Sequence, residues 1–167
     1  QAQLQKIWPE VAMARQDAMP VLVWQHGMIR RYQNRLYQVS HCAEPANATP
    51  ELLLWVDHPI ALPGGILTLK SAYAGTAELR LPEAGQQYSV RFNVPGSVKI
   101  TPVGRQHSRE LKKIWQEYGV APWLRPFVPV ICCQENVVAA AGVFICKEYA
   151  CPDTETGICI DWVPQPD

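Results

Sequence analysis

The chain has no excess of charge: its 167 residues carry 15 basic and 15 acidic side chains, a formal net charge of zero. That balance excludes the globally basic composition of a histone-like or ribosomal protein, so any affinity for a polyanion must come from local clustering. Long apolar runs are missing too. No stretch approaches the roughly 18 residues that a membrane-spanning helix needs, and no charged-then-apolar leader is legible. The expectation is a cytoplasmic protein with no membrane partner. The opening Gln1-Ala2-Gln3-Leu4 is expected to be an internal stretch of a longer protein.

Metal-binding and catalytic signatures are also lacking. The six cysteines, Cys42, Cys132, Cys133, Cys146, Cys151 and Cys159, contain no CxxC pair. Cys132 and Cys133 are neighbours on a strand-like run, so their side chains point to opposite faces. The cysteines are expected to be small apolar core residues, with no metal site and no disulfide frame. There is no GxGxxG and no GxxxxGK[ST], and Gly64-Gly65 leads into a strand rather than a helix. His26, His41, His58 and His107 are scattered, and His58 beside Asp57 points away from it if both lie on a strand. No nucleophile or acid–base pair emerges. The residues themselves describe a binding or structural module, with no catalytic residue and no cofactor of its own.

What the chain does contain is a series of short elements. Leu4, Ile7, Val11 and Ala14, with Trp8 beside them, predict an amphipathic amino-terminal helix. Strands are predicted at 21–24, 28–32 and 36–39 around turns at Gly27 and Gln33-Asn34, followed by a linker at 43–50. Further strands are predicted at 52–56, 66–70, 88–92 and 98–101, the third alternating with Tyr88, Val90 and Phe92 on one face. A helix should start at Ser108 as N-cap, bury Leu111, Ile114, Trp115 and Tyr118, and stop at Gly119. Strands at 128–133 and 137–146, the second with a bulge at Gly142, and a last strand at 158–163 complete the pattern. The pattern is α+β: a short amino-terminal helix with small β hairpins, then a β-sandwich-like carboxy-terminal domain with one basic amphipathic helix.

Basic charge is concentrated in one place. Between Lys99 and Arg125 there are six basic residues, Lys99, Arg105, Arg109, Lys112, Lys113 and Arg125, against Glu110 and Glu117. Arg109, Lys112, Lys113 and Gln116 fall at helical spacing on one face, with Arg105 and His107 just before the helix start, where backbone N–H groups favour an anion. Fixed, multiple donors are what a row of phosphates requires. The alternative is an ordinary solvated face. Trp123 with Arg125 offers a base-stacking surface, although a Trp in this position more often closes the edge of the core. Arg30, Arg31 and Arg35 form a secondary basic group in the first hairpin.

The run Gly104-Arg105, Ser108-Arg109-Glu110-Leu111-Lys112-Lys113-Ile114-Trp115-Gln116-Glu117, Val120-Ala121-Pro122-Trp123-Leu124-Arg125 and Pro129, followed by Val138-Ala139-Ala140-Ala141-Gly142-Val143-Phe144, resembles the carboxy-terminal domain of bacterial tRNA(Ile)-lysidine synthetases. Tyr88-Ser89-Val90-Arg91-Phe92 fits the opening strand of that domain, and residues 4–39, with Ala14-Arg15-Gln16-Asp17-Ala18 and Ile29-Arg30-Arg31-Tyr32, are similar to the family's middle domain. Ala121 stands where the family more often has proline. The resemblance implies that residues 1–45 end the middle, substrate-binding-type domain. Residues 51–167 would form the carboxy-terminal tRNA-binding domain, with 51–85 as a candidate connecting subdomain.

By that resemblance, the whole family enzyme is an ATP- and Mg-dependent ligase that attaches lysine to the wobble cytidine of an isoleucine tRNA with a CAU anticodon. Its adenylation motif, Ser-Gly-Gly-x-Asp-Ser, does not occur here, so this chain is expected to be inactive alone. It would hold the tRNA body and acceptor stem for an amino-terminal catalytic domain, through Arg105, Arg109, Lys112, Lys113, Arg125 and Trp123, with Arg30, Arg31 and Arg35 as secondary contacts. A structural or homodimerisation module bracing the catalytic domain is the alternative.

Overall fold

The computed structural model describes residues 21–24, 27–39 and 51–164. The expected amino-terminal helix, the 43–50 linker, His26, His41 and Cys42 lie outside them. The chain divides into two compact units, 1–44 with residue 167, and 45–166.

In the first unit, strands β1 (Val21–Trp24), β2 (Gly27–Tyr32) and β3 (Arg35–Val39) form an antiparallel meander. β2 and β3 are joined by Gln33 and Asn34, both left-handed at φ 47° and 61°. Two such residues make the type I′ turn whose twist matches that of the flanking strands, and asparagine is among the few residues that accept this conformation cheaply. The register sets Arg30 opposite Tyr37, Arg31 opposite Leu36 and Tyr32 opposite Arg35. Arg30 and Arg35 therefore share one face of the meander while Arg31 takes the other, so the secondary basic group is divided between two faces.

The second unit holds, in order, β4 (Leu52–Leu53), β5 (Ile60–Leu62), β6 (Gly65–Ala72), β7 (Tyr88–Arg91), β8 (Lys99–Ile100), β9 (Arg109–Glu110), helix α1 (Leu111–Glu117), β10 (Val130–Cys133), β11 (Asn136–Ala140), β12 (Phe144–Ile145) and β13 (Gly157–Pro164). They form a five-stranded sheet in the order β12-β11-β10-β7-β4, a three-stranded sheet β13-β6-β5, and the ribbon β8-β9. This is a sheet-rich α+β fold, as the strand and helix pattern predicts. A continuous core joins both sheets to the helix through Leu67, Leu69, Leu79, Val90, Leu111, Ile114, Ile131, Val138 and Ile158. β10 is buried at every position. Cys132 and Cys133 point to opposite faces of a sheet covered on both sides, and burial pushes the Cys132 thiol up to about 11.

Several elements differ from their predicted form. The strand expected at 52–56 pairs with β7 through Leu52 and Leu53, with the Leu54 N–H donating to the Tyr88 carbonyl, after which Val56 bridges to Leu69 of the other sheet. The chain switches sheets there. The strand expected at 137–146 turns back after Ala140, because Gly142 adopts φ +74° and β12 folds antiparallel onto β11. The ladder irregularity lies between Ile131 and Cys132 instead. β7 does not alternate: Tyr88, Ser89 and Val90 are all buried. Ser89 is tolerated because its hydroxyl donates to Glu51, which Arg91 also holds, at 3.0 Å.

That arrangement gives a pH prediction. The Ser89 hydrogen bond first, then Arg91, holds the Glu51 carboxyl below its usual value. A carboxylate whose pKa is depressed by folding stabilises the native state above its unfolded pKa, and the contribution disappears as the pH falls through the folded value. E51Q should therefore melt below wild type at pH 7, with the gap closing toward pH 3. Superimposed curves of melting temperature against pH would remove Glu51 from the edge of this sheet.

Candidate nucleic-acid interface

The basic segment is built on the β8–β9 ribbon and α1. The predicted helix from Ser108 begins later, because Arg109 and Glu110 pair as a strand with Ile100 and Lys99. The ribbon itself caps the helix: the N–H groups of Leu111 and Lys112 donate to the carbonyls of Val98 (2.8 Å) and Gly96 (3.0 Å). A β-carbon on Gly96 would come within 3.0 Å of the Lys112 Cβ, so a side chain there would strain this approach. Two donors expected to face an anion are thus engaged by backbone, and side chains must supply the anion contacts. Leu111, Ile114 and Trp115 are buried as predicted. Tyr118 is 41% exposed rather than part of the buried stripe, since the helix has already ended. Gly119, at φ +72°, makes the stop.

The cations gather around two carboxylates. Lys99 lies opposite Glu110 in the ribbon, and the Lys112 ammonium sits 3.0 Å from the Glu110 carboxylate. That Lys112 contact first, and then the charges of Lys112, Lys113 and Lys99, hold the Glu110 carboxyl below its ordinary value. At the far end of α1, Glu117 is gripped by two arginines: Arg105 at 2.8 Å through one oxygen, and Arg109 through the other. The Arg105 guanidinium also lies 5.9 Å from the Tyr118 ring centroid. Lys112 reaches a shallow pocket of about 190 Å³ that Arg125, Asn93, Trp115 and Pro126 also line. Arg125 donates its Nε to the Val120 carbonyl at 2.9 Å.

Of the predicted contacts, Arg105 and Arg109 meet at Glu117, Lys112 and Lys113 lie with Lys99 around Glu110, and Arg125 joins Lys112 at the pocket. The single helical face expected for Arg109, Lys112 and Lys113 is not formed, because Arg109 belongs to β9 and, as the strand neighbour of Glu110, leaves the opposite face of the ribbon. Trp123 does not belong with them. It is 8% exposed, which leaves no ring face on which a base can stack, so its place is the edge of the core. Glu117 is the residue that charge counting overlooked. It enters a sequence tally only as a subtraction, although it is what brings two arginines to one point. Arg109 stands eight residues from it and Arg105 twelve, spacings at which no helix or strand periodicity makes side chains neighbours.

Away from this segment, Asp57 does not orient His58. Its carboxylate accepts from the Ser71 N–H and hydroxyl, each at 2.9 Å, while His58 Nδ1 lies 2.9 Å from the Val56 carbonyl. Among the described residues, no three His, Cys, Asp or Glu side chains gather in a metal-binding group, and no helix is long and apolar enough to cross a membrane.

Comparison with known proteins finds matches for both parts of the chain. Residues 88–162 match the family model described as the TilS substrate C-terminal domain, and residues 1–37 match the TilS substrate binding domain. Curated tRNA(Ile)-lysidine synthases of Salmonella paratyphi B, Salmonella typhimurium and Salmonella typhi are each 42% identical over 159 residues. Those alignments cover 95% of this chain and 36% of each relative, so the chain spans about a third of the length of the proteins it matches.

Proposed function

The chain belongs to the tRNA(Ile)-lysidine synthase family, and on that premise we propose that its second unit docks the body and acceptor stem of isoleucine tRNA. Within the whole protein, this contact would present the anticodon to a separate ATP-dependent catalytic domain. The observation that carries this reading is the local excess of base on one ribbon-and-helix segment, where Arg105 and Arg109 meet at Glu117 and Lys99, Lys112 and Lys113 surround Glu110. Five cations against two anions leave a surplus of three positive charges, in a chain whose total is zero. A-form RNA presents phosphates, 2′-hydroxyls and shape rather than readable base edges, so a compact cationic surface suits it better than a deep pocket.

The test is the salt dependence of tRNA binding by the full chain. Five phosphate contacts should give a log–log slope of about −3.5, taking roughly 0.7 per phosphate as the lower guide. K112A/K113A should weaken binding and flatten the slope by about 1.4. Unchanged affinity and slope in that double variant would place the docking surface elsewhere. Loss of any salt-dependent binding in the wild type would leave a bracing or dimerising role instead.

A further inference from the structure

We propose that Glu117 is a positioning residue for tRNA, holding the guanidinium forks of Arg105 and Arg109 side by side so that both present donors to the same stretch of phosphate backbone. The proposal rests on the docking role above and deepens it. Its observation is the bidentate arrangement: one carboxylate oxygen takes an Arg105 Nη2 at 2.8 Å and the other an Arg109 Nη1. The carboxylate is the more enclosed partner, with its side chain 24% exposed against 40% and 50% for the arginines. Arginine carries five N–H donors in a rigid plane. Each fork therefore keeps other nitrogens for a phosphate, and the Arg105 plane is steadied further by the Tyr118 ring.

Two effects of the Glu117 charge oppose each other. As a negative charge it repels phosphate, but it is exposed to water and salt, where a single charge several ångströms from the ligand changes affinity little. As a clamp it orders two long side chains before tRNA arrives. Immobilising one such side chain on binding costs a factor of roughly 2–12 in affinity. Ordering outweighs repulsion, so removing the carboxylate should weaken binding although it makes the surface more positive. Glu110 provides the contrast. Its neighbours are lysines, flexible point charges of which it contacts only Lys112 directly, so there repulsion should dominate.

The experiment measures isoleucine tRNA binding against salt for the full chain and five variants, with thermal unfolding to verify the fold. E117Q is expected to bind about 3–10-fold more weakly, with a slope smaller by about one phosphate. E110Q should bind equally or up to about twofold tighter. E117D retains the charge but is too short to hold both forks, and should weaken like E117Q. In an R105K/R109K background, where no forks remain, E117Q should no longer weaken binding and, like E110Q, should leave it equal or up to about twofold tighter. If E117Q binds as tightly as wild type or tighter, or E117D matches wild type, Glu117 is only a screening charge and this assignment falls while tRNA docking stands. If wild type itself gives no salt-dependent binding, both fall together.

Discussion

W115A is expected to lower the stability of the second unit by about 3–5 kcal/mol, the range for removing a buried tryptophan with incomplete collapse of the cavity. Trp115 is 5% exposed and packs at 5.9 Å from the Phe144 ring in a tilted pair. With Leu111 and Ile114, both fully buried, it forms the stripe by which α1 holds to the sheets. No other helix shares that load among the described residues of this unit, because the remaining helical segments are short 3₁₀ turns. At roughly 3–5 °C per kcal/mol for a unit of this size, the melting temperature should fall by about 10–20 °C. K113A, an exposed change on the same helix, should stay within about 0.5 kcal/mol. The stripe also matters for the interface, since Lys112 and Lys113 hold their places only while α1 stays docked. A W115A chain with wild-type melting would mean that the helix is attached by some other face.

The parts of this fold that were legible in sequence are those whose pattern is local. β1 to β3, β6, β10 and β13 announce themselves through β-branched and apolar runs between turn residues, and the stripe of Leu111, Ile114 and Trp115 follows from helical spacing. The errors come from contacts distant in sequence. The helix starts late because carbonyls of Gly96 and Val98 cap it, a role assigned to Ser108 when only neighbours are considered. β7 loses its alternation because Ser89 finds a carboxylate 38 residues away. β5, only three residues long, has no periodicity to detect and exists through its pairing with β6.

The candidate interface divides the same way. Its lysines and arginines stand out in a charge count, and the family resemblance names the same segment. The grip of Glu117 depends on how residues 102–108 fold back, fixed by Val103 donating to the Ile145 carbonyl and Arg105 to that of Pro102. No residue spacing encodes that. Trp123 shows the converse: an aromatic after a proline more often closes a core edge than offers a stacking surface, and only its burial decides between them.

G157A, at the start of β13, is expected to cost about 2–4 kcal/mol from overpacking and loss of backbone hydrogen bonds. The reason is space rather than conformation, since Gly157 is not among the residues at positive φ. A β-carbon there would lie 2.3 Å from the Leu79 carbonyl oxygen, 2.7 Å from Cys151 Sγ and 3.0 Å from the Ala77 Cβ. Gly157 opens β13 opposite Ala72, and its neighbour Ile158 exchanges backbone hydrogen bonds with Leu79 at 2.8 and 2.9 Å. To admit the methyl, the strand must move away from Leu79, which loosens that pair together with two side chains that are fully buried, Leu79 and Ile158. Gly142 makes the opposite case: it sits at φ +74° with nothing within 4 Å of its would-be β-carbon. G142A should therefore cost only the left-handed strain, about 1–2 kcal/mol. Thermal unfolding of the two variants separates crowding from conformation. C151A should not rescue G157A, because the closest atom in the way is a backbone carbonyl that no side-chain truncation removes; rescue would mean that the 77–79 segment yields and the sulfur is the true obstacle.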